Sequence, residues 1–214
     1  MSDATSGAHV AHHFDNAEQQ FSSAKLGLWL FLVTEVLLFG GLFVAYIMFR
    51  ALYPDMFAEA HHHLNKVMGG INTVVLICSS LSMAMAVHFV RDNDRVKAVK
   101  LLSFTFLCGA TFMVIKFFEY KEKFAHHLFP NGSFDYSAFT HKNANLFYSL
   151  YFIMTGLHGL HVLIGMGLIA WVLIRTRRNN FSSEYYTPVE LTGLYWHLVD
   201  LVWIYLFPLM YLIA

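Results

Sequence analysis

KLGLWLFLVTEVLLFGGLFVAYIMFR, residues 25–50, is the stretch whose reading decides the fold. Between its two basic ends only Glu35 is charged. A helix rises about 1.5 Å per residue, so this stretch is long enough to cross a hydrocarbon core about 30 Å thick. Glu35 falls about 15 Å in from Lys25, close to mid-membrane. An ionised carboxylate at that depth costs several kcal/mol unless it is protonated, paired or wetted. Two readings of Glu35 stand side by side. One is a proton-linked carboxylate. The other is a hydrogen-bonded group that joins two helices. On its own helix its neighbours along one face are Phe31 and Phe39, so its partner must come from elsewhere.

Four further runs pass the same length and composition test, giving spans at about 24–52, 66–90, 97–120, 144–174 and 188–213. The fold class is an all-α integral membrane protein, a bundle of five transmembrane helices. Residues 1–23 form a polar tail and residues 24–214 a single transmembrane domain. Of the 214 residues, 57% are hydrophobic and 13% charged, about half the charged share of soluble domains. Fourteen basic residues balance fourteen acidic ones, so no nucleic-acid partner is implied. Cys78 and Cys108 both lie in apolar runs and offer neither a disulfide framework nor a metal signature. The tail lacks the basic and apolar regions of a cleaved signal peptide. Its His9, His12 and His13 read as a solvated segment more readily than as a metal site.

The connections differ in character. Residues 53–65 carry Pro54 and the triplet His61, His62, His63, and residues 91–96 make a tight charged turn. Residues 121–143 form the longest loop, with a turn at Pro130, Asn131 and Gly132. Lys25, Arg91, Arg95, Lys97, Lys100, Arg175, Arg177 and Arg178 lie on one side. Arg50, Lys66, Lys116, Lys121, Lys123 and Lys142 lie on the other, spread over longer loops. The basic short loops predict a cytoplasmic N-terminus and an outside C-terminus.

Small residues mark faces where helices approach: Gly40 and Gly41, then Ser79, Ser80, Ser82, Ala84 and Ala86, then Gly165 and Gly167. Pro208 lies inside the last span and predicts a kink. His158 and His161 stand three apart and share a helix face, a spacing that suits two metal ligands or two helix-joining hydrogen bonds. Glu35 is the one obvious carboxylate to complete such a metal set. His197 and Asp200, also three apart, are placed to pair across one turn. Glu119 and Tyr120 close the third span at the interface. Nucleotide-binding, hydrolase and zinc-protease motifs are absent.

Five blocks then carry a family resemblance: FLVTEVLLFGGLFVAY (31–46), INTVVLICSSLSMAMAVH (71–88) with Asp94 and Arg95 after it, Glu119–Tyr120, TGLHGLHVLIG (155–165), and Glu190 followed by YWHLVDLVWIYL (195–206). The chain resembles subunit III of the haem–copper respiratory oxidases, in the five-span form of several bacterial enzymes. The resemblance implies a non-catalytic subunit of a proton-pumping oxidase that reduces O₂ to water. It implies location in the bacterial inner membrane and no cofactor in this chain, with haem and copper in subunits I and II. Its implied partners are those subunits, a small fourth subunit, membrane lipids and a larger respiratory supercomplex. Glu35 falls on the family's intramembrane carboxylate, linked to proton uptake beside subunit I. Arg175 matches a basic position that holds an anionic lipid headgroup, and a bound phospholipid is expected. His158, His161, His197, Asp200, Glu119 and Glu190 match buried polar positions with structural roles, and none is implied as a metal ligand. Cytochrome c is the expected donor, because some quinol-oxidase relatives carry aspartate at the Glu35 position. The alternatives are a partner of a quinol oxidase or nitric oxide reductase, a small proton-coupled transporter using Glu35 and His158, and a His-box di-iron enzyme.

Overall fold

The computed structural model describes residues 14–62, 64–130, 134–137, 139–141 and 143–212. His9, His12, His13, His63, Asn131, Gly132 and Lys142 lie outside the described residues. All regular structure among the described residues is helical: α1 (Ala17–Leu52), α2 (Pro54–His61), α3 (Lys66–Arg91), α4 (Arg95–Ala125), α5 (Ala144–Arg177) and α6 (Thr187–Phe207), with a π-helical turn at Pro208–Leu212. Five of these elements are long and apolar enough to cross a membrane.

The boundaries follow local chemistry. α1 begins in the expected tail, seven residues before the predicted span. Asn16 caps it, accepting from the Gln19 backbone N–H at 2.8 Å, while the Gln19 side chain accepts from the Asp15 N–H at 2.7 Å. Asn65 caps α3 through Val67 and Met68, and Asp94 caps α4 through Lys97. α3, α4 and α5 are followed by left-handed residues, Asn93 (φ 58°), His127 (φ 52°) and Asn179 (φ 59°). Asn tolerates that conformation better than most side chains, which explains the tightness of the 91–96 turn.

Two connections depart from expectation. Residues 53–65 contain the short helix α2, started by Pro54 at a position where proline is favoured. α4 runs on to Ala125, five residues past the predicted span, so Glu119 lies within the helix, and its side chain is fully buried in the bundle. α6 ends at Pro208, whose missing N–H breaks the α-helical pattern, and the chain widens there into the π turn. Side chains on other elements satisfy carbonyls of that turn. Tyr46 donates to Leu209 O at 2.7 Å, and His61 Nδ1 donates to Met210 O at 3.1 Å.

α3, α4, α5 and α6 form the packed core, and α1 leans on α5 and α6 at its side. The indoles of α6 organise this core. Trp196 and Trp203 are fully buried, and each N–H donates to a hydroxyl on α3: Trp196 to Ser79 and Trp203 to Thr73, both at 3.0 Å. Ser82 and Thr105 bond α3 to α4 at 2.6 Å. In lipid no solvent-driven force holds helices together, so these bonds and close van der Waals contact set their rotation. Two glycines give the closest contacts. A Cβ at Gly69 would meet Phe207 at 2.6 Å, and one at Gly165 would meet Trp196 at 2.7 Å. Gly40, Gly41 and Gly167 do not serve this purpose, since nothing lies within 4 Å of where their Cβ would be. Ala84 is exposed, whereas Ser79, Ser82 and Ala86 face the core.

Candidate functional site

Glu35 finds its partner 126 residues away. Its Oε2 lies 2.9 Å from His161 Nε2, which joins α1 to α5 near the middle of both spans. The other ring nitrogen, Nδ1, lies 2.8 Å from the Leu157 carbonyl, one turn back on α5. A carbonyl only accepts, so Nδ1 carries a hydrogen. Nε2 is then left to share a proton with the carboxyl group. Either a neutral Glu35 donates to Nε2, or an imidazolium donates to the carboxylate. Both arrangements are neutral as a pair, which removes most of the cost of placing these groups at mid-membrane.

The surroundings hold the pair in place. Phe39 meets the His161 ring edge-on at 5.2 Å. Tyr195 on α6 donates to the His161 carbonyl at 3.1 Å and stacks on Phe31. The side chains of Glu35 and His161 are 12% and 11% exposed, so the pair borders the outside of the bundle and is not sealed in its centre. Such a site can hold one proton and pass it between carboxyl and imidazole with no net charge change.

His158 does not join it. The expectation that His158 and His161 serve one face is corrected, because each points to different neighbours. His158 is fully buried, stacked on Trp203 at 5.2 Å and edge-on to Phe112 at 5.4 Å. Among the described residues no three His, Cys, Asp or Glu side chains converge. The predicted His197–Asp200 pair does not form either. His197 Nδ1 lies 2.7 Å from Ser80 Oγ on α3, and Asp200 is buried beside Ser79 and Ser80. His197 is engaged by Ser80 across the α3–α6 contact and not by Asp200 one turn on.

A second polar cluster lies inside the bundle at the end that carries α2. Lys116 donates to Glu119 at 2.8 Å and to Tyr211 at 2.7 Å, and Tyr211 donates to the other carboxylate oxygen at 2.5 Å. The Lys116 ammonium also sits 4.6 Å from the centre of the Trp203 indole. The two ions are buried together, and removing either alone would cost about 3–5 kcal/mol. The i, i+3 spacing of Lys116 and Glu119 is visible in the sequence, but Lys116 reads there as a loop-side charge. Tyr211 carries no such signal, because it reaches the cluster only after the turn at Pro208.

At the opposite end, Lys25 pairs with Glu190 at 3.0 Å, with Arg91 at 3.8 Å from the same carboxylate. Arg91 also donates to Tyr186 at 3.1 Å. These contacts fasten α1 to α6 and α3. Arg175 is exposed and lies over its own Trp171, 5.1 Å from the ring centre.

Beside α2, Glu59 accepts from the Thr140 N–H at 2.7 Å and from His141 at 2.8 Å, clasping the α4–α5 loop. Those donors pull the Glu59 carboxyl down to about 2. His61, on the same short helix, is buried, and desolvation lowers its pKa, so it remains a neutral donor to Met210 O.

A family model described as cytochrome c oxidase subunit III matches residues 3–214. Cytochrome c oxidase subunit 3 of a Synechocystis strain is 37% identical over 188 residues, covering 87% of this chain and 74% of that protein. The same subunit of Thermostichus vulcanus is 34% identical over 201 residues, 94% of this chain and 92% of its own length. Quinol oxidase subunit 3 of Bacillus subtilis is 30% identical over 216 residues, 96% and 97% of the two chains.

Proposed function

This chain belongs to the cytochrome c oxidase subunit III family, and from that membership we propose a non-catalytic, supporting role for it beside the subunits that carry haem and copper. It is a membrane protein and a subunit of a haem–copper respiratory oxidase complex. Its partners are subunits I and II, and its seat is the bacterial inner membrane with the N-terminus in the cytoplasm. Its oxidase draws electrons from cytochrome c. The identities of 37% and 34% to cytochrome c oxidase subunits, against 30% to a quinol oxidase subunit, support that donor.

The observation that carries the proposed role is the neutral Glu35–His161 pair. It is a proton-holding site at mid-membrane on the exposed side of the bundle, where a neighbouring subunit can exchange with it. Haem and copper chemistry belongs to the partner subunits. This chain's own residues hold a proton, fasten the helices and, through Arg175, hold an anionic headgroup at the membrane surface. An Arg guanidinium backed by an indole presents its fork of donors outward for that purpose.

Isolation of the chain from native membranes, with an optical spectrum and donor assays, tests the reading. The expected result is copurification with haem-bearing subunits and oxidation of reduced cytochrome c. Turnover with quinol alone would transfer the chain to the quinol branch, and isolation as a haem-free transporter would overturn the role itself.

A further inference from the structure

We propose that the outer groove between α4 and α5 is a binding site for one acyl chain of an anionic phospholipid, whose headgroup is held by Lys121. The groove encloses about 620 Å³, within the range of small-molecule sites. It opens to the outside of the bundle between Met113, Phe117 and Phe124 on α4 and Leu160 and Leu163 on α5. The inference rests on the chain's spanning a membrane and is independent of the proposed role of Glu35, the donor and the orientation.

Glycine creates this space and does not close it. Gly156 and Gly159 lie on the α5 side of the groove. A glycine on a membrane helix ordinarily lets a neighbouring helix approach. Here nothing lies within 4 Å of a Cβ at Gly159, and only the Tyr120 hydroxyl, at 3.7 Å, meets one at Gly156. The polar groups on the wall are already engaged. Tyr120 and Thr155 bond to each other at 2.5 Å, and Lys116 is turned to Glu119 and Tyr211. What remains for an occupant is an apolar trough and one exposed cation, Lys121, which has no ion-pair partner among the described residues.

Length selects the occupant. From Lys121 down to Met113 the groove follows α4 for about 12 Å, within the depth of about 15 Å of one leaflet of the hydrocarbon core. A partner helix would need contact across the whole membrane, whereas an acyl chain needs one leaflet and a headgroup anchor at its end. The chain itself gains little by leaving bulk lipid, because lipid tails are as apolar as the groove wall. Selectivity therefore lies with the headgroup, and one lysine at the membrane surface gives about a fivefold preference for an anionic lipid.

The test uses the intact complex in nanodiscs containing phosphatidylglycerol or phosphatidylcholine with a photoreactive acyl chain, followed by peptide mapping. Labelling is expected to concentrate on the Met113–Phe117 and Leu160–Leu163 segments, about fivefold stronger with phosphatidylglycerol. Lys121→Gln, a surface change that leaves the packed core untouched, should equalise the two lipids. Gly159→Leu should abolish labelling there while leaving other lipid-facing positions labelled. Equal labelling by both lipids in the wild type, or a preference that survives Lys121→Gln, would overturn the inference. So would labelling spread evenly over lipid-facing positions such as Val36 and Leu81, or crosslinking of the groove to another subunit in place of lipid.

Discussion

The decisive residue is Glu35, because its partner changes what the carboxylate can do. The sequence surrounds it with Phe31 and Phe39 and leaves its charge unanswered. In the folded chain His161 answers it, and the Leu157 carbonyl determines which nitrogen is available. The geometry distinguishes two substitutions. In Glu35→Gln the amide N–H can donate to Nε2, so the complex should assemble with a melting temperature near that of the wild type. Its proton-linked turnover, or the durability of that turnover, should fall. Glu35→Leu leaves Nε2 without a partner at mid-span and should cost about 1–3 kcal/mol of stability. Thermal unfolding of the purified complex and proton uptake per turnover measure the two effects separately. If Glu35→Gln blocked assembly, the carboxylate would be structural alone.

At the scale of elements, the helices are held by a few close contacts and one external clasp. Gly165 lies against the rigid, fully buried Trp196, and an added Cβ has nowhere to go. Gly165→Ala should therefore destabilise the bundle by about 1–3 kcal/mol, whereas Gly159→Ala, in open space, should be neutral or gain up to about 1 kcal/mol from helix propensity. Denaturation of the two variants side by side checks the contrast. The clasp between α2 and the α4–α5 loop depends on the Glu59 carboxylate, whose folded value of about 2 lies below its ordinary 4.5. A depressed carboxyl stabilises fully above its unfolded value, and the contribution is lost as pH falls towards the folded one. Protease cleavage of the 126–143 loop should thus stay constant above about pH 5 and rise steadily towards pH 2. Glu59→Gln should cleave faster at pH 7 and show no such rise.

Among the described residues five helices are long and apolar enough to cross a membrane, and an odd number of crossings would put the start of α1 and the end of α6 on opposite sides. The basic short loops at one end are expected to face the cytoplasm. Impermeant labelling of single cysteines is expected to reach position 135, in the α4–α5 loop, from outside intact cells. Position 92, in the α3–α4 turn, should be reached only after permeabilisation. The reverse pattern would invert the proposed topology. The same architecture explains why α1 is exposed along much of its length. It is fastened at one end by Lys25 to Glu190, at the middle by Glu35 to His161, and at the other end by Tyr46 to Leu209.

The sequence by itself determined the number of spans, their approximate limits and the class of protein. Transfer of a side chain into hydrocarbon is a local, nearly additive quantity, and the helix rise converts a run of such residues into a length. It also marked Glu35, His161 and Asp200 as polar groups that need partners. Which partners they obtain was decided only by tertiary structure. His161 and not His158 meets Glu35, Ser80 and not Asp200 meets His197, and Tyr211 arrives at Lys116 from 95 residues away. Each outcome depends on how far a helix is rotated about its own axis. That rotation is set by contacts such as Gly165 on Trp196 and the indole bonds to Ser79 and Thr73, which no local reading of one helix contains.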